Sequence, residues 1–136
     1  MFPLNTRFLV VDDSLTMRIV LVHSLKEMGY AKIVEGVDGL DAWRILESGE
    51  PIDAIIMDHN MPKCTGLELL EKLLHHPQFQ KIPAIMITSD SEKAVVERAS
   101  DLGAAGFISK PIMPDQFKAK LNGIFQRLQG GARPQG

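Results

Sequence analysis

A chain of 136 residues with 45% hydrophobic and 24% charged side chains has the size of one domain that can bury a core and stay in solution. Its formal net charge of -2 leaves no basic footprint for nucleic acid, and no apolar run is long enough to span a bilayer or to serve as a secretory signal. The single Cys64 cannot form an internal disulfide, which fits a reducing compartment, so a cytoplasmic protein is expected.

Apolar runs suited to buried strands alternate with helical patterns along the chain. Phe8–Val11 is predicted as the first strand, and Met17, Leu21, Leu25 and Met28 follow as one helical stripe. Lys32–Glu35 reads as the second strand, with a weaker helix around Asp41–Glu47. Ala54–Met57 is the third, followed by a helix carrying Leu67, Leu70, Leu73 and Leu74 on one side. Ala84–Thr88 is the fourth, with a weak helix around Glu92–Leu102, and Gly106–Ser109 is the fifth. Phe117, Leu121, Ile124, Phe125 and Leu128 then mark the last helix. Gly29, Gly49 and Gly103 stand where helices should stop, because glycine accepts the left-handed conformation cheaply. Continuously apolar strands are covered on both faces in parallel sheets. The alternation therefore predicts a doubly wound α/β domain over residues 7–129, with a disordered tail at 130–136.

Asp12 and Asp13, Asp58, Thr88 and Lys110 each follow or close one of these strands. In an open parallel sheet, ligands bind at the carboxyl ends of the strands. Taken singly, Asp12 and Asp13 read as helix caps and Asp58 as a turn residue. Taken together, they put carboxylates, a hydroxyl and an ammonium on one edge of the sheet. Such acids suit a hard cation that takes oxygen ligands, and the cation would relieve their mutual repulsion. The set is the chemistry of a divalent metal, a nucleophilic aspartate and a phosphoryl group.

The ordered fragments Val10-Val11-Asp12-Asp13, Thr16-Met17-Arg18, Asp38-Gly39-x-Asp41-Ala42, Asp58-x-Asn60-Met61-Pro62, Gly66-Leu67-Glu68-Leu69-Leu70, Lys110-Pro111 and Lys120-Leu121-Asn122-x-Ile124-Phe125 carry a resemblance. From about Arg7 to Leu128 the chain resembles response-regulator receiver domains, most closely the single-domain chemotaxis regulators. The resemblance implies a flavodoxin-like fold, a five-stranded parallel sheet in order 2-1-3-4-5 with five helices. It makes Asp58 the acceptor of a phosphoryl group from a histidine kinase or a small donor such as acetyl phosphate. Mg2+ would be held by Asp13, Asp58 and the backbone carbonyl of Asn60, with Asp12 acting through water. Thr88 and Lys110 would neutralise the phosphoryl oxygens, and the Lys110-Pro111 bond would be cis.

The resemblance also places a switch at Thr88 and Phe107, acting on the face built from the fourth helix, fifth strand and fifth helix. Phe107 stands where a tyrosine is usual, and His59 where the chemotaxis regulators carry tryptophan. Asn60 and Asp90 would flank the attacking water, and their small polar side chains predict fast loss of the phosphoryl group. The expected partners are a chemotaxis histidine kinase, a flagellar motor switch protein and a possible phosphatase, met by a monomer that is not a turnover enzyme. The alternative is a phosphorelay shuttle or phosphate sink exchanging with a histidine phosphotransferase.

Other functions are disfavoured by residues. A haloacid-dehalogenase-type phosphatase needs a second aspartate where Asn60 stands, and no nucleotide-binding glycine loop follows the first strand. A DNA-binding regulator would need an output domain after Leu128. His75-His76 reads as a helix-end pair, since adjacent positions do not share a helix face. Cys64 reads as an inert loop thiol, and Trp43, on the second helix, as a poor reporter of phosphorylation.

Overall fold

The apolar runs pair as parallel strands in the computed structural model, which describes residues 1–130. In chain order the elements are β1 (Phe8–Val11), α1 (Leu15–Glu27), β2 (Ile33–Gly36), α2 (Gly39–Glu47), β3 (Ala54–Asp58), α3 (Gly66–Leu74), β4 (Ala84–Thr88), α4 (Lys93–Asp101), β5 (Gly106–Ser109) and α5 (Pro114–Gln129). The sheet order is β2-β1-β3-β4-β5 with every neighbouring pair parallel, as expected. Of the tail expected at 130–136, Gly130 is the C-cap of α5, and 131–136 lie outside the described residues.

Alternation along each strand divides the core into two layers. Leu9, Val11, Ile55, Met57 and Met86 face Ala42, Leu46, Leu69, Leu73 and Ala99 of α2, α3 and α4. Phe8, Val10, Ile56, Ile85 and Ile87 face Leu21, Leu25, Phe117, Leu121 and Ile124 of α1 and α5. Strands β1, β3 and β4 are buried at every position, which is why their sequences run apolar without interruption. Positive φ at Gly29, Gly49 and Gly103 closes the first, second and fourth helices at the expected places.

The differences from expectation are local. β2 begins one residue later than the apolar pattern suggested, and β3 extends by one residue to include Asp58. The helix expected from Glu92 starts at Lys93, because Asp90–Glu92 forms a 3-10 turn with its own capping box from Ser89. Upstream of Arg7, Phe2 is buried against Phe8 and Phe125, and Tyr30 Oη donates a 2.6 Å hydrogen bond to its carbonyl.

Candidate functional site

The strand order brings the acids together. β1 and β3 are hydrogen-bonded neighbours, so Asp12, one residue past β1, stands beside Asp58 at the end of β3. Ser14 is the N-cap of α1, accepting from the Met17 N–H at 3.2 Å, and Asp12 Oδ1 accepts from the Ser14 N–H at 2.9 Å. Neither Asp12 nor Asp13 is therefore spent as the helix cap. One carboxylate oxygen from each of Asp12, Asp13 and Asp58 lies within 4.8 Å of the others. Asp12 and Asp58 are buried at 2% and 3% exposure, while Asp13 opens to solvent. Arg18 fixes the loop from below, its Nη1 donating to the Asp12 carbonyl at 2.7 Å.

Lys110 completes the cluster. Its Nζ lies 3.0 Å from Asp58 Oδ1, an ion pair at contact distance without the alignment of a hydrogen bond. Burial works against the ammonium, but Asp58, with help from Asp12 and Glu92, outweighs it and holds Lys110 above its ordinary pKa. Burial pushes the Asp12 carboxyl up; the Ser14 N–H opposes this, while the Asp58 charge adds to it. Asp12 Oδ2 is a buried oxygen with no hydrogen-bond donor, and Asp58 Oδ1 has only its ion pair with Lys110. A buried polar atom without a partner calls for an explanation, and converging carboxylate oxygens fit a hard cation such as Mg2+.

The other strand ends frame this pair. Thr88 closes β4 at 5% exposure, and its carbonyl accepts from the Lys110 N–H at 2.8 Å. The Lys110-Pro111 peptide is cis. Beyond Asp58, the His59 carbonyl accepts from the Gly66 N–H at 3.0 Å, so the loop returns α3 tightly onto β3. A Cβ at Gly66 would lie 2.7 Å from the Asp58 carbonyl oxygen, which explains the glycine there. His59 is half-buried, its Nδ1 accepting from the Leu67 N–H at 3.4 Å.

Asn60 and Asp90 do not share a fate. Both are exposed, but Asn60 Nδ2 donates to Glu92 Oε2 at 2.9 Å, whereas Asp90, at the start of the 3-10 turn, makes no such bond. Glu92 is 7% exposed and also accepts from the Ser89 N–H at 2.8 Å. Sequence reasoning missed Glu92, although the Ser89-x-x-Glu92 spacing of a capping box was there to be read.

Phe107 sits half-buried on β5, in register with Met86 and against the same core layer. It lines a groove of about 620 Å³ between β5 and α5, with Met113, Gln116, Lys120 and Gly123 on the far wall. Away from the site, His75 caps the end of α3, its Nδ1 lying 2.8 Å from the Glu71 carbonyl. His76 instead stacks on Phe79 at 4.1 Å, with the Trp43 ring edge-on to both. Cys64 is buried, and burial pushes its thiol pKa up, as suits an inert thiol.

Residues 8–122 match the response regulator receiver domain. The chain is 39% identical over 115 residues to the chemotaxis protein CheY1 of Helicobacter pylori, covering 85% of this chain and 93% of that one. It is 36% identical over 118 residues to a chemotaxis protein CheY homolog of Campylobacter jejuni, covering 87% and 91%. Among solved structures, the chemotaxis response regulator CheY4 of Vibrio cholerae superposes with a TM-score of 0.77 at 28% identity, over 88% of this chain and 98% of that one.

Proposed function

Because this chain belongs to the response regulator receiver domain family, we propose that it is a phosphorylation-activated switch of a chemotaxis two-component system, with Asp58 as the phospho-acceptor. One observation carries the reading: the carboxylates of Asp12, Asp13 and Asp58 converge within 4.8 Å, with Lys110 Nζ 3.0 Å from Asp58. A buried carboxylate whose one charged contact is the Lys110 ammonium can serve as the nucleophile. Asp58 attacks the phosphorus of a kinase phosphohistidine; the P–N bond breaks, its electron pair returns to the imidazole, and an acyl phosphate forms on Asp58. Asp13, Asp58 and the Asn60 carbonyl would hold Mg2+, with Asp12 acting through water, and the ion supplies neutralisation of the phosphoryl oxygens. Lys110 transfers its ion pair from the bare carboxylate to the new dianion. Thr88, buried at the next strand end, offers its hydroxyl to the same group. Family members signal rather than turn over a substrate.

The partners follow from surface chemistry. Leu15 and Ile19, 60% and 58% exposed and one turn apart on α1, begin two residues beyond Asp13. An exposed apolar pair that follows Asp13 on α1 suits a helical, histidine-bearing kinase. The groove between β5 and α5, with Phe107 on its wall, suits the output target, proposed to be the flagellar motor switch. Thr88 and Phe107 would couple the two, since β4 and β5 are hydrogen-bonded neighbours. The protein would act as a cytoplasmic monomer, with a phosphatase as a further possible partner; no described helix is long and apolar enough to cross a membrane.

A phosphorelay shuttle or phosphate sink is the second reading, favoured by Phe107 itself, which lacks a hydroxyl to donate to a target. The discriminating experiment is binding of a flagellar switch-protein N-terminal peptide with and without Mg2+ plus beryllofluoride. Tighter binding with the adduct supports the motor switch. Unchanged binding with the Asp58 adduct confirmed transfers the reading to the relay or sink, and absence of any adduct at Asp58 removes both.

A further inference from the structure

The buried carboxylate of Glu92 joins the loop after the proposed acceptor to the loop after Thr88. Its Oε1 accepts from the Ser89 N–H at 2.8 Å and from the Ser89 hydroxyl at 3.3 Å, and its Oε2 accepts from Asn60 Nδ2 at 2.9 Å. A carboxylate only accepts, so it selects the amino end of the Asn60 amide and leaves Oδ1 as that amide's free acceptor. Asn60 lies two residues past Asp58, and the Glu92 charge acts on Lys110, which contacts Asp58. Asp90, the residue two beyond Thr88, makes no such bond.

We propose that Glu92 is a positioning residue that shortens the lifetime of the Asp58 phosphoryl group by fixing the orientation of the Asn60 amide. The inference rests on the receiver reading. In the hydrolysis, a water oxygen attacks phosphorus and the bond between phosphorus and the Asp58 oxygen breaks. The electron pair stays on the Asp58 carboxylate, and the water's oxygen and both protons leave with dihydrogen phosphate. A water donating one hydrogen to Asn60 Oδ1 has a lone pair free for that attack. If the amide turned over, its amino group would instead donate to the phosphoryl oxygens and stabilise the acyl phosphate.

Glu92→Gln tests this without removing the turn, because glutamine also serves a capping box. With the oxygen of the introduced amide kept on the Ser89 N–H, its amino group would meet the Asn60 amino group, and Asn60 must turn over. The measurement is decay of the acyl phosphate after loading with acetyl phosphate and Mg2+ and removing the donor. The parent, Glu92→Gln, Asn60→Ala and the double variant are compared, with thermal melts confirming each fold. Glu92→Gln should slow decay about fivefold, the worth of one ordinary hydrogen bond. The double variant should decay like Asn60→Ala alone. Decay of Glu92→Gln at the parent rate overturns the proposal. So does an equal slowing by Glu92→Gln in the Asn60→Ala background, which would mean that the charge or the loop acts without Asn60. A parent that takes no label at Asp58 removes the acceptor reading of Asp58 and this inference with it, whereas a labelled parent leaves only the role of Glu92 at stake.

Discussion

Lys110 reaches Asp58 across an intervening strand: its Nζ lies 3.0 Å from Asp58 Oδ1, although β4 separates β5 from β3 in the sheet. The span passes the end of β4, where Thr88 is anchored to the Lys110 backbone. The ends of β3, β4 and β5 are thereby joined, and a charge placed on Asp58 is expected to act at all three. Lys110→Ala should still accept phosphate from a small donor, but on the order of tenfold more slowly, as expected for loss of a charge-assisted contact. It should then fail to propagate activation, with its phosphorylated form binding the target no better than the unmodified form. A peptide titration against the beryllofluoride adduct reads this, and full tightening in the variant would remove Lys110 from the switch.

Asp58→Asn keeps the shape of the side chain and removes the nucleophilic oxygen anion. Label from acetyl phosphate should disappear while the circular dichroism spectrum is retained. Mass spectrometry that finds phosphate on another residue of the variant at parental levels would displace Asp58 from the acceptor role. The same substitution takes one acid from the cluster proposed to hold Mg2+, so the rise in Tm expected when Mg2+ is added to the parent should shrink in the variant.

Asp12 gives the cluster a pH signature. Burial raises its folded pKa above the unfolded value, which is about 3.9 for an aspartate. The folded state therefore binds this proton more tightly than the unfolded state. The resulting stability is fully present below that unfolded value and is lost as pH rises through the raised folded value. Asp12→Asn cannot ionise. In metal-free buffer it should gain Tm relative to the parent above the raised pKa, with the difference closing toward pH 4 and below. A difference that does not vary with pH would show that Asp12 carries no cost of buried charge.

What could be read from the sequence follows a physical division. Strands β1, β3 and β4 are buried on both faces, so Phe8–Val11, Ile55–Met57 and Ile85–Ile87 show as continuous apolar runs, and the residues at their ends were found with them. Gly29, Gly49 and Gly103 were legible because a positive φ restricts the residue type at helix ends. Glu92 was not, because it lies in the polar stretch Ser89-Asp90-Ser91-Glu92-Lys93 and its partner Asn60 is joined to it only by the fold. Phe2 was passed over for a related reason. Its burial depends on Phe8, Phe125 and the Tyr30 hydroxyl, none of them near it in any local pattern. The use of Ser14 rather than Asp12 as the α1 cap was open in the sequence, since Asp and Ser cap about equally well.

Gly66 and Gly123 should respond oppositely to alanine. At Gly66 the added methyl would lie 2.7 Å from the Asp58 carbonyl oxygen and 2.9 Å from the His59 Cα, both backbone atoms that cannot step aside. Crowding of this kind costs about 1–3 kcal/mol. It also moves the segment that carries the proposed acceptor, so Gly66→Ala should lose both stability in urea and rate of phosphorylation. At Gly123, inside α5, the methyl would meet nothing within 4 Å. Alanine there should stabilise by roughly 0.5–1 kcal/mol, the usual gain over glycine in a helix interior. Gly123 also lines the groove beside Phe107, so its methyl narrows the proposed target site without touching the acidic cluster. Gly123→Ala should therefore accept phosphate at the parental rate while binding the switch peptide more weakly. Equal peptide affinity in the two proteins would place the target surface elsewhere.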